Sequence, residues 1–283
     1  MPLQMRVFLL TVLAMLAFAG NSLLCRLALK TTGIDAASFT LIRLASGALT
    51  LWLIMAFRKT SATGNWTSAA ALFVYAGAFS FAYVNLPAAT GALILFGSVQ
   101  FTMLGYGMAK GDRLSALQIT GIVIAVCGLV ALLLPGLATP SLTGATLMMA
   151  AGIAWGVYSL RGRHIGDPAR ATAGNFIRAV PFAIALAALM LPQLKVDTAG
   201  IGYAVASGAV MSAIGYIIWY AAVTKLKATT AASIQLSVPA LTALGGTAFL
   251  DEHLTWTVAL ACLAILGGVA LAALAVKPWR RPI

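Results

Sequence analysis

Runs of about 20 mostly apolar residues recur along the whole chain, and short segments with most of the charged residues separate them. A helix of about 20 apolar residues spans the ~30 Å hydrocarbon core of a bilayer. The pattern therefore predicts ten membrane-spanning helices joined by short loops. The predicted spans are residues 7–29, 36–57, 68–86, 88–108, 115–134, 141–160, 171–191, 199–223, 228–250 and 255–276.

Composition favours a membrane protein over a soluble one. Hydrophobic residues make up 61% of the 283 residues, charged residues make up 8%, and the mean hydropathy is +0.99. A soluble domain of this length could not bury so much apolar surface, so we expect the lipid bilayer as its partner. The net charge of +12 would suggest nucleic acid in a soluble chain. Here the charges lie mostly between apolar runs, so we expect no nucleic-acid partner.

The distribution of lysine and arginine predicts the orientation. With a cytoplasmic amino terminus, thirteen of the 18 basic residues lie on the cytoplasmic side, and Lys30 and Lys195 lie on the other side. An excess of lysine and arginine is typical of cytoplasmic loops. We therefore predict a multi-pass protein of the bacterial cytoplasmic (inner) membrane, with both termini in the cytoplasm.

An internal repeat relates the two halves of the chain. The segment from Thr90 aligns with the segment from Thr230 at a constant offset of 140, and Arg43 aligns with Arg178 at an offset of 135. Five spans per repeat invert the second copy relative to the first. The predicted fold is thus an all-α integral membrane protein with ten transmembrane helices in two inverted five-helix repeats, residues 1–135 and 136–283.

The first span has two interpretations. Ala17-Phe18-Ala19 has the small-x-small pattern of a signal-peptide cleavage site, but the apolar run continues through Asn21. Gly20 aligns with Gly156 in the second repeat at an offset of 136. We therefore expect the first helix to be retained.

Motifs near the ends of both halves resemble a known family. The stretch "QLSVPALTALGGTAFLDEHLTWTVALACLAILGGVAL", with Pro239 and Glu252, and the joints "FAYVNLPAATGA" and "WYAAVTKLKATTAA" resemble the EamA-type carriers of the drug/metabolite transporter superfamily. Within that superfamily the chain is most similar to bacterial exporters of aromatic amino acids. The first half departs from the pattern, since Val99 stands opposite Pro239 and Asp112 opposite Glu252. The resemblance implies a central cavity formed by spans one to four of each half.

Aromatic residues recur at helical spacing on several spans, so they share a face of each helix. Rings around a cavity could hold an apolar or aromatic solute, whereas packing between helices is the alternative role. Asn21 could bind a zwitterion or make an interhelical hydrogen bond. The predicted substrate-binding residues are Phe18, Asn21, Tyr75, Phe79, Tyr83, Trp155, Tyr158, Tyr216 and Trp219.

Arg43 and Arg178 each lie about seven residues inside a predicted span. Either side chain could extend to the interface and act structurally. The functional alternatives are a carboxylate clamp or a gate charge at each mouth of the pathway. Because the repeat relates the two arginines, we predict gate or orientation charges.

All six acidic residues and both histidines fall between the predicted spans. Proton-coupled carriers usually need a titratable group inside the membrane, so we expect facilitated export by alternating access. The spans also lack a nucleophile with a base, a metal-ligand cluster and a phosphate loop, so we expect no enzyme, cofactor or metal. The expected substrate is a small molecule, most readily an aromatic or other apolar amino acid, with a nucleotide sugar or quaternary amine as alternatives. A monomer is expected and a dimer is the alternative.

Overall fold

The computed structural model describes residues 3–109, 115–133, 140–162, 166–223, 234–235, 237–253 and 255–274. Throughout these ranges the regular structure is helical, and they contain no strand. We number the helices α1 (Leu3–Thr31), α2 (Ala36–Phe57), α3 (Trp66–Tyr83), α4 (Ala88–Ala109), α5 (Ala116–Leu133), α6 (Leu142–Gly162), α7 (Pro168–Leu189), α8, α9 (Ser237–Phe249) and α10 (Trp256–Leu274). Helix α8 is continuous and consists of Thr198–Val205, the π-helical segment Ala206–Ile214, and Gly215–Val223.

The chain is a multi-pass membrane protein. Six described helices (α1, α2, α4, α6, α7 and α8) are long and apolar enough to cross a bilayer, and shorter apolar stretches lie in α5 and α10. The ten-span arrangement remains a prediction. Part of the ninth predicted span, 228–250, falls outside the described residues. Eight of the basic residues on which the predicted orientation depends also fall outside the described residues: Lys110, Arg113, Arg163, Lys225, Lys227, Lys277, Arg280 and Arg281.

The helix boundaries follow local capping chemistry. Helix α2 covers the predicted residues 36–57. Helix α7 begins three residues earlier than predicted, because the Asp167 side chain accepts from the N–H groups of Ala169 and Arg170, and Pro168 occupies the first turn. The residues around the proposed cleavage site at 17–19 lie in the middle of α1.

The helices pack in pairs around a common centre. Helix α2 packs against α7 and the π-segment, α3 packs against α6 and α7, and α1 packs against α8 and α9. Helix α4 contacts α6 and α9. Helices α5 and α10 pack against each other, and α10 also contacts α4. The centre is therefore enclosed by helices that come from both halves of the chain.

Glycine allows α2 to touch its neighbours closely. A Cβ at Gly208 of the π-segment would overlap the carbonyl oxygen of Arg43 and Ser46 Oγ. A Cβ at Gly47 would lie 2.6 Å from a ring carbon of Phe176 on α7. Small residues of this kind let membrane helices approach backbone to backbone. The close contact fixes the side chain of Arg43 between α2 and α8.

Two aspartates join the loops at one end of the bundle, which we call the Asp35 end. Asp35 caps α2 by accepting from the Ala37 and Ser38 N–H groups at 2.8 and 3.0 Å, and its second oxygen accepts from the Lys195 N–H at 2.7 Å. Asp197 caps α8 by accepting from Gly200 N–H at 2.9 Å. Asp197 also accepts from Gly33 N–H at 3.1 Å. Each carboxylate thus caps the helix that follows it and also accepts from an N–H group of the loop that carries the other aspartate.

The opposite end, which we call the Arg170 end, joins the α2–α3 loop to the start of α7. Arg170 Nε donates to the Ser61 carbonyl at 2.7 Å, and Thr63 N–H donates to the Arg170 carbonyl at 2.9 Å. Asn65 N–H donates to Asn175 Oδ1 at 3.0 Å. The two ends are separated by the 22 residues of α2, or about 33 Å at ~1.5 Å per residue.

The hydrogen bonds that the Asp35 carboxylate accepts predict a stability change at acid pH. Partial burial raises the pKa of Asp35, but hydrogen bonds from the N–H groups of Lys195, Ser38 and Ala37 outweigh it and leave the pKa below its usual value. A carboxylate with a lowered folded-state pKa contributes stability above its unfolded pKa and loses it as pH falls through the folded one. Asp35→Asn should therefore lower the thermal midpoint of the purified protein at pH 7, and the difference should shrink below about pH 4.

The matched control for that pH series is Asp251→Asn, because the Asp251 side chain is exposed. Its midpoint should follow that of the unsubstituted protein at every pH. A deficit of Asp35→Asn that stays constant from pH 7 to pH 3 would contradict the role given to its charge.

Candidate functional site

The predicted aromatic residues form one connected cluster at the centre of the bundle. The ring of Trp155 on α6 is its hub, with centroid distances of 5.8 Å to Phe18, 4.9 Å to Tyr75, 5.6 Å to Tyr158 and 4.8 Å to Tyr216. These rings come from α1, α3, α6 and α8. Rings at such distances and tilts attract one another by about 0.5–1.5 kcal/mol per pair beyond the effect of burial.

Three further predicted rings extend the cluster. Phe79 lies 5.4 Å from Tyr75 and 4.7 Å from Tyr83, and Trp219 lies 5.7 Å from Phe18. All eight predicted aromatic residues are buried, with exposures of 6% or less. The structure therefore brings the whole predicted aromatic set together, while its contact with a substrate stays a prediction.

Phe176 of α7 is a member of the cluster that sequence reasoning missed. Its ring centroid lies 5.8 Å from that of Tyr216, and its side chain is 1% exposed. Helix α7 has two phenylalanines, Phe176 and Phe182, and a spacing of six residues does not place them on one helical face, so the sequence gave no signal that Phe176 faces the centre.

The rings close around a small cavity. Its volume is about 10 Å³, which is room for roughly one water molecule. A second cavity of about 10 Å³ lies on the side of Tyr158 that faces Asn175 and Tyr220. In this conformation the rings pack on each other, so a larger solute requires the helices to separate. The central cavity is lined by Phe18, Ser22, Tyr75, Phe79, Leu95, Phe96, Trp155 and Tyr216.

Asn21 joins three helices. Its Nδ2 donates to the Tyr75 hydroxyl at 3.2 Å, and its Oδ1 accepts from Ser207 Oγ at 2.6 Å. The amide thus links α1 to α3 and to the π-segment of α8. Asn21 therefore makes interhelical hydrogen bonds, while its contact with a substrate stays a prediction.

Arg43 of α2 lies beside the aromatic cluster with its side chain fully enclosed. The residue is 1% exposed, so its guanidinium does not extend to the interface. Nε donates to Ser212 Oγ at 3.2 Å, and Nη2 donates to the Tyr75 hydroxyl at 3.1 Å. The guanidinium carbon lies 5.2 Å from the Tyr75 ring centroid and 4.9 Å from that of Phe79. Within the described part of the chain, Nη1 has no hydrogen-bond partner.

Among the described residues, the charge of Arg43 has no carboxylate partner. The ion pair found in that part of the chain joins Arg26 and Glu252. Enclosing a charge costs several kcal/mol even after relaxation. Each desolvated cation–π contact stabilises the charge by about 2 kcal/mol. The hydrogen bonds to the two hydroxyl groups offset part of the remaining desolvation cost. The guanidinium is therefore held in position but is not neutralised.

The π-segment supplies two of the hydroxyl groups around this site. Ser207 bonds Asn21 and Ser212 bonds Arg43, and the two serines are five residues apart. In a π-helix the backbone hydrogen bonds run from i to i+5, which brings residues five apart close together on one side. Sequence patterns based on α-helical spacing could not group these serines.

Measured from the helix caps, Arg43 and Arg178 lie at different positions, and their paired role as gate or orientation charges stays a prediction. Arg43 follows the cap residue Asp35 by eight positions, and in α7 the residue eight positions after the cap Asp167 is Asn175. Arg178 lies three residues further, about 4.5 Å along the helix. It is partly exposed, and its Nη1 donates to the carbonyl oxygens of Thr63 and Gly174 at 2.8 and 3.0 Å. Arg178 thus closes the Arg170 end, and Arg43 faces the centre.

An ion pair at the Asp35 end was not predicted from the sequence. Arg26 Nε lies 3.0 Å from Glu252 Oε1, with side-chain exposures of 12% and 13%. Arg26 Nη1 also donates to the carbonyls of Tyr83 and Val84, at the end of α3. Glu252 Oε2 accepts from the Ala88 N–H at the start of α4, at 2.6 Å. Each charge thus lies at the helix terminus whose dipole it complements, and the pair spans the α3–α4 joint.

The Tyr75 hydroxyl should be a stability determinant. Tyr75→Phe leaves Arg43 Nη2 and Asn21 Nδ2 without this acceptor while it keeps the ring contacts. An unsatisfied buried donor costs about 1–3 kcal/mol, so we expect a lower thermal midpoint in detergent. Tyr203→Phe is the matched control, because Tyr203 lies on α8 outside this network and is only partly buried. Equal midpoints for the two variants would contradict the network.

The Arg26–Glu252 pair should show energetic coupling in a double-mutant cycle. Arg26→Met, Glu252→Gln and the double variant are compared by thermal unfolding. Groups that share a network typically couple by about 0.5–3 kcal/mol, so the double variant should lose less stability than the sum of the single losses. Strict additivity would show that the two side chains do not stabilise the joint together.

Comparison with known proteins agrees with a transporter. Residues 142–274 match the EamA-like transporter family. An uncharacterised protein of Pseudomonas aeruginosa is 55% identical over 269 residues, covering 94% of each chain. An uncharacterised transporter of Archaeoglobus fulgidus is 24% identical over 279 residues, covering 93% of this chain and 96% of that protein.

A shorter match and a solved structure complete the comparison. The threonine/homoserine exporter RhtA of Salmonella typhimurium is 35% identical over 153 residues, which span 51% of this chain and 50% of the exporter. A solved crystal structure superposes with a TM-score of 0.66 at 20% identity, covering 94% of this chain and 99% of the other, and this shows likeness of fold. Residues 142–274, slightly under half of the chain, therefore resemble the EamA-like transporter family, and the relatives with a stated role are transporters.

Proposed function

We propose that the protein exports small metabolites across the bacterial inner membrane, most readily amino acids with aromatic or other apolar side chains. The observation that carries this proposal is the cluster of eight buried rings between helices of both halves, five of which line the central cavity. A ring surface attracts apolar and aromatic side chains through dispersion and offset stacking. Similarity to a threonine/homoserine exporter supports amino acids as the substrate class and export as the direction.

Two inverted five-helix repeats, residues 1–135 and 136–283, are part of the proposal. Their support is the recurrence of cap positions, since Asp167 and Asp197 follow Asp35 and Asn65 by 132 residues each, and all four cap helices. The packing of α3 on α6 and α7 is likewise matched by the packing of α8 on α1 and α2. Repeats related in this way can exchange conformations, which gives access from alternate sides.

The transport cycle proposed here opens one end at a time. At the Asp35 end, the hydrogen bond from Lys195 N–H to Asp35 and the Arg26–Glu252 ion pair must break. At the Arg170 end, the hydrogen bonds from Arg170 and Arg178 to main-chain carbonyls must break. With both termini in the cytoplasm, the Asp35 end faces outward. Tyr158 contacts Trp155 and lines the second cavity, so its movement would connect the centre to the Arg170 end. We propose a monomer as the transporting unit.

Transport is proposed to run down the solute gradient without proton coupling. Within the described membrane helices no aspartate, glutamate or histidine is present. A proton-driven carrier usually places such a group in the membrane. A quaternary amine or a nucleotide sugar is the alternative substrate, and transport assays separate these classes directly.

Counterflow in liposomes with equal pH on both sides tests the function. We expect labelled phenylalanine to accumulate in exchange for internal phenylalanine, and a quaternary amine or nucleotide sugar to give no exchange. Exchange only of a quaternary amine or a nucleotide sugar would refute the substrate class. An absolute need for an imposed proton gradient would refute the uncoupled mechanism.

Replacing one ring tests the role of the cluster. Trp155→Ala should weaken exchange of phenylalanine about fivefold more than exchange of serine, because a lost ring pair is worth about 1 kcal/mol. Trp66→Ala is the matched control, since Trp66 is 58% exposed and lies outside the cluster. Equal losses for phenylalanine and serine in the Trp155 variant would assign Trp155 to packing alone.

A further inference from the structure

We infer that Arg43 forms an anion-binding subsite beside the central cavity and that the substrate must carry a carboxylate, which the guanidinium binds while the rings hold the apolar part. The inference rests on the proposed function and names the chemistry that the site recognises. It also gives Arg43 a different role from Arg178.

The first argument is the incomplete coordination of Arg43. Among the described residues its Nη1 is a buried donor without an acceptor, although Nε and Nη2 have partners. Buried polar groups of native proteins are nearly always paired, so this donor is available to a ligand that enters the centre. Two hydroxyl groups that line the cavity or its edge, Ser22 Oγ and Tyr216 OH, are likewise without a partner in the described structure.

The second argument comes from the equivalent position in the other repeat. Asn175 follows its helix cap by the same eight residues as Arg43 and is 3% exposed. Its Oδ1 accepts from the Asn65 N–H, and its Nδ2 donates to the Tyr158 hydroxyl at 3.5 Å. At this position an uncharged amide is therefore enough to make the hydrogen bonds that join α7 to the α2–α3 loop and to α6. Since packing needs no charge there, the charge at position 43 has another use.

The third argument is the location of the guanidinium relative to the rings. It lies against Tyr75 and Phe79, and both of these rings also line the central cavity. A solute whose ring enters between Phe79 and Trp155 would place a nearby carboxylate within reach of Arg43. A guanidinium commonly binds a carboxylate through two parallel N–H groups on neighbouring nitrogens, and here the unpaired Nη1 supplies one of them.

The charge balance selects the class of anion. Arg26 is already paired with Glu252, so in the described region Arg43 is the unpaired charge beside the cluster. One guanidinium balances one negative charge, which fits the carboxylate of an amino acid. A nucleotide sugar carries more negative charge, and a quaternary amine would be repelled.

Transport of a matched pair of solutes tests the subsite. Phenylalanine and phenylalaninamide share the ring and the amine but differ in the carboxylate. The unsubstituted protein should exchange phenylalanine at least tenfold faster than the amide. Arg43→Gln, which introduces the kind of group that the other repeat carries, should lose most of this preference, and Arg178→Gln should keep it.

Binding gives a second readout that does not depend on transport. Phenylacetate and phenylacetamide differ in charge and have nearly the same shape. A ligand that binds the folded state raises the thermal midpoint, so phenylacetate should raise the midpoint of the unsubstituted protein and of Arg178→Gln. Phenylacetamide should have little effect, and Arg43→Gln should respond equally weakly to both.

The outcomes separate this inference from the proposed function. If phenylalanine is exchanged but the amide is exchanged equally well, and Arg43→Gln slows both alike, the subsite is refuted and amino acid export stands. If no amino acid is exchanged but phenylacetate stabilises the protein only when Arg43 is present, the subsite stands and the proposed function fails. If Arg43→Gln does not fold, equal stabilisation of the unsubstituted protein by phenylacetate and phenylacetamide still refutes the subsite.

Discussion

The centre of this molecule is organised around an enclosed guanidinium, that of Arg43, which has no carboxylate partner among the described residues. Arg43 must be surrounded by groups that partly replace water, and the fold supplies a tyrosine hydroxyl, a serine hydroxyl and two ring faces. Gly208 lets the π-segment approach the main chain of Arg43, so that Ser212 can reach it. Asn21 shares the Tyr75 hydroxyl with Arg43, which ties α1 into the same network. Local helix geometry, helix contact and charge placement therefore depend on each other.

The two ends of the bundle are closed by different chemistry. Carboxylates of Asp35, Asp197 and Glu252 hold N–H groups or an arginine at one end. At the other end, Arg170 and Arg178 donate to main-chain carbonyls. Most of these groups serve helix termini, where the backbone leaves N–H or C=O groups unpaired. Both ends are therefore closed by groups that water could also satisfy.

The central ring cluster and Arg43 contribute differently to folding and to recognition. The rings pack against each other and stabilise the closed conformation, which leaves space for about one water molecule. The guanidinium is tolerated in that conformation and gains a full partner only from an anion. A site of this kind is stable without a ligand, and its unpaired charged donor still favours the binding of an anion. Natural proteins commonly keep such locally unfavourable groups where function requires them.

The sequence by itself determined the helices and the aromatic set. Apolar runs of bilayer length fixed where helices form, because hydropathy and helix propensity act over neighbouring residues, and α2 was predicted at its observed limits. Helical spacing on single helices identified eight aromatic members of the cluster but not Phe176, because residues on one helical face stay together wherever the helix packs. The caps Asp35, Asp167 and Asp197 also act locally, but they were recognised only as gap residues.

The tertiary structure alone decided what each charge faces. Arg43 and Arg178 look equivalent in an alignment, but a three-residue difference in register turns one toward the centre and the other toward a loop carbonyl. The Arg26–Glu252 pair joins residues 226 positions apart, and Ser207 and Ser212 share a side only through the π-segment. Such contacts depend on helix rotation, register and close approach between segments distant in sequence. Those quantities are set by the packing of the whole bundle, so no local pattern along the chain can specify them.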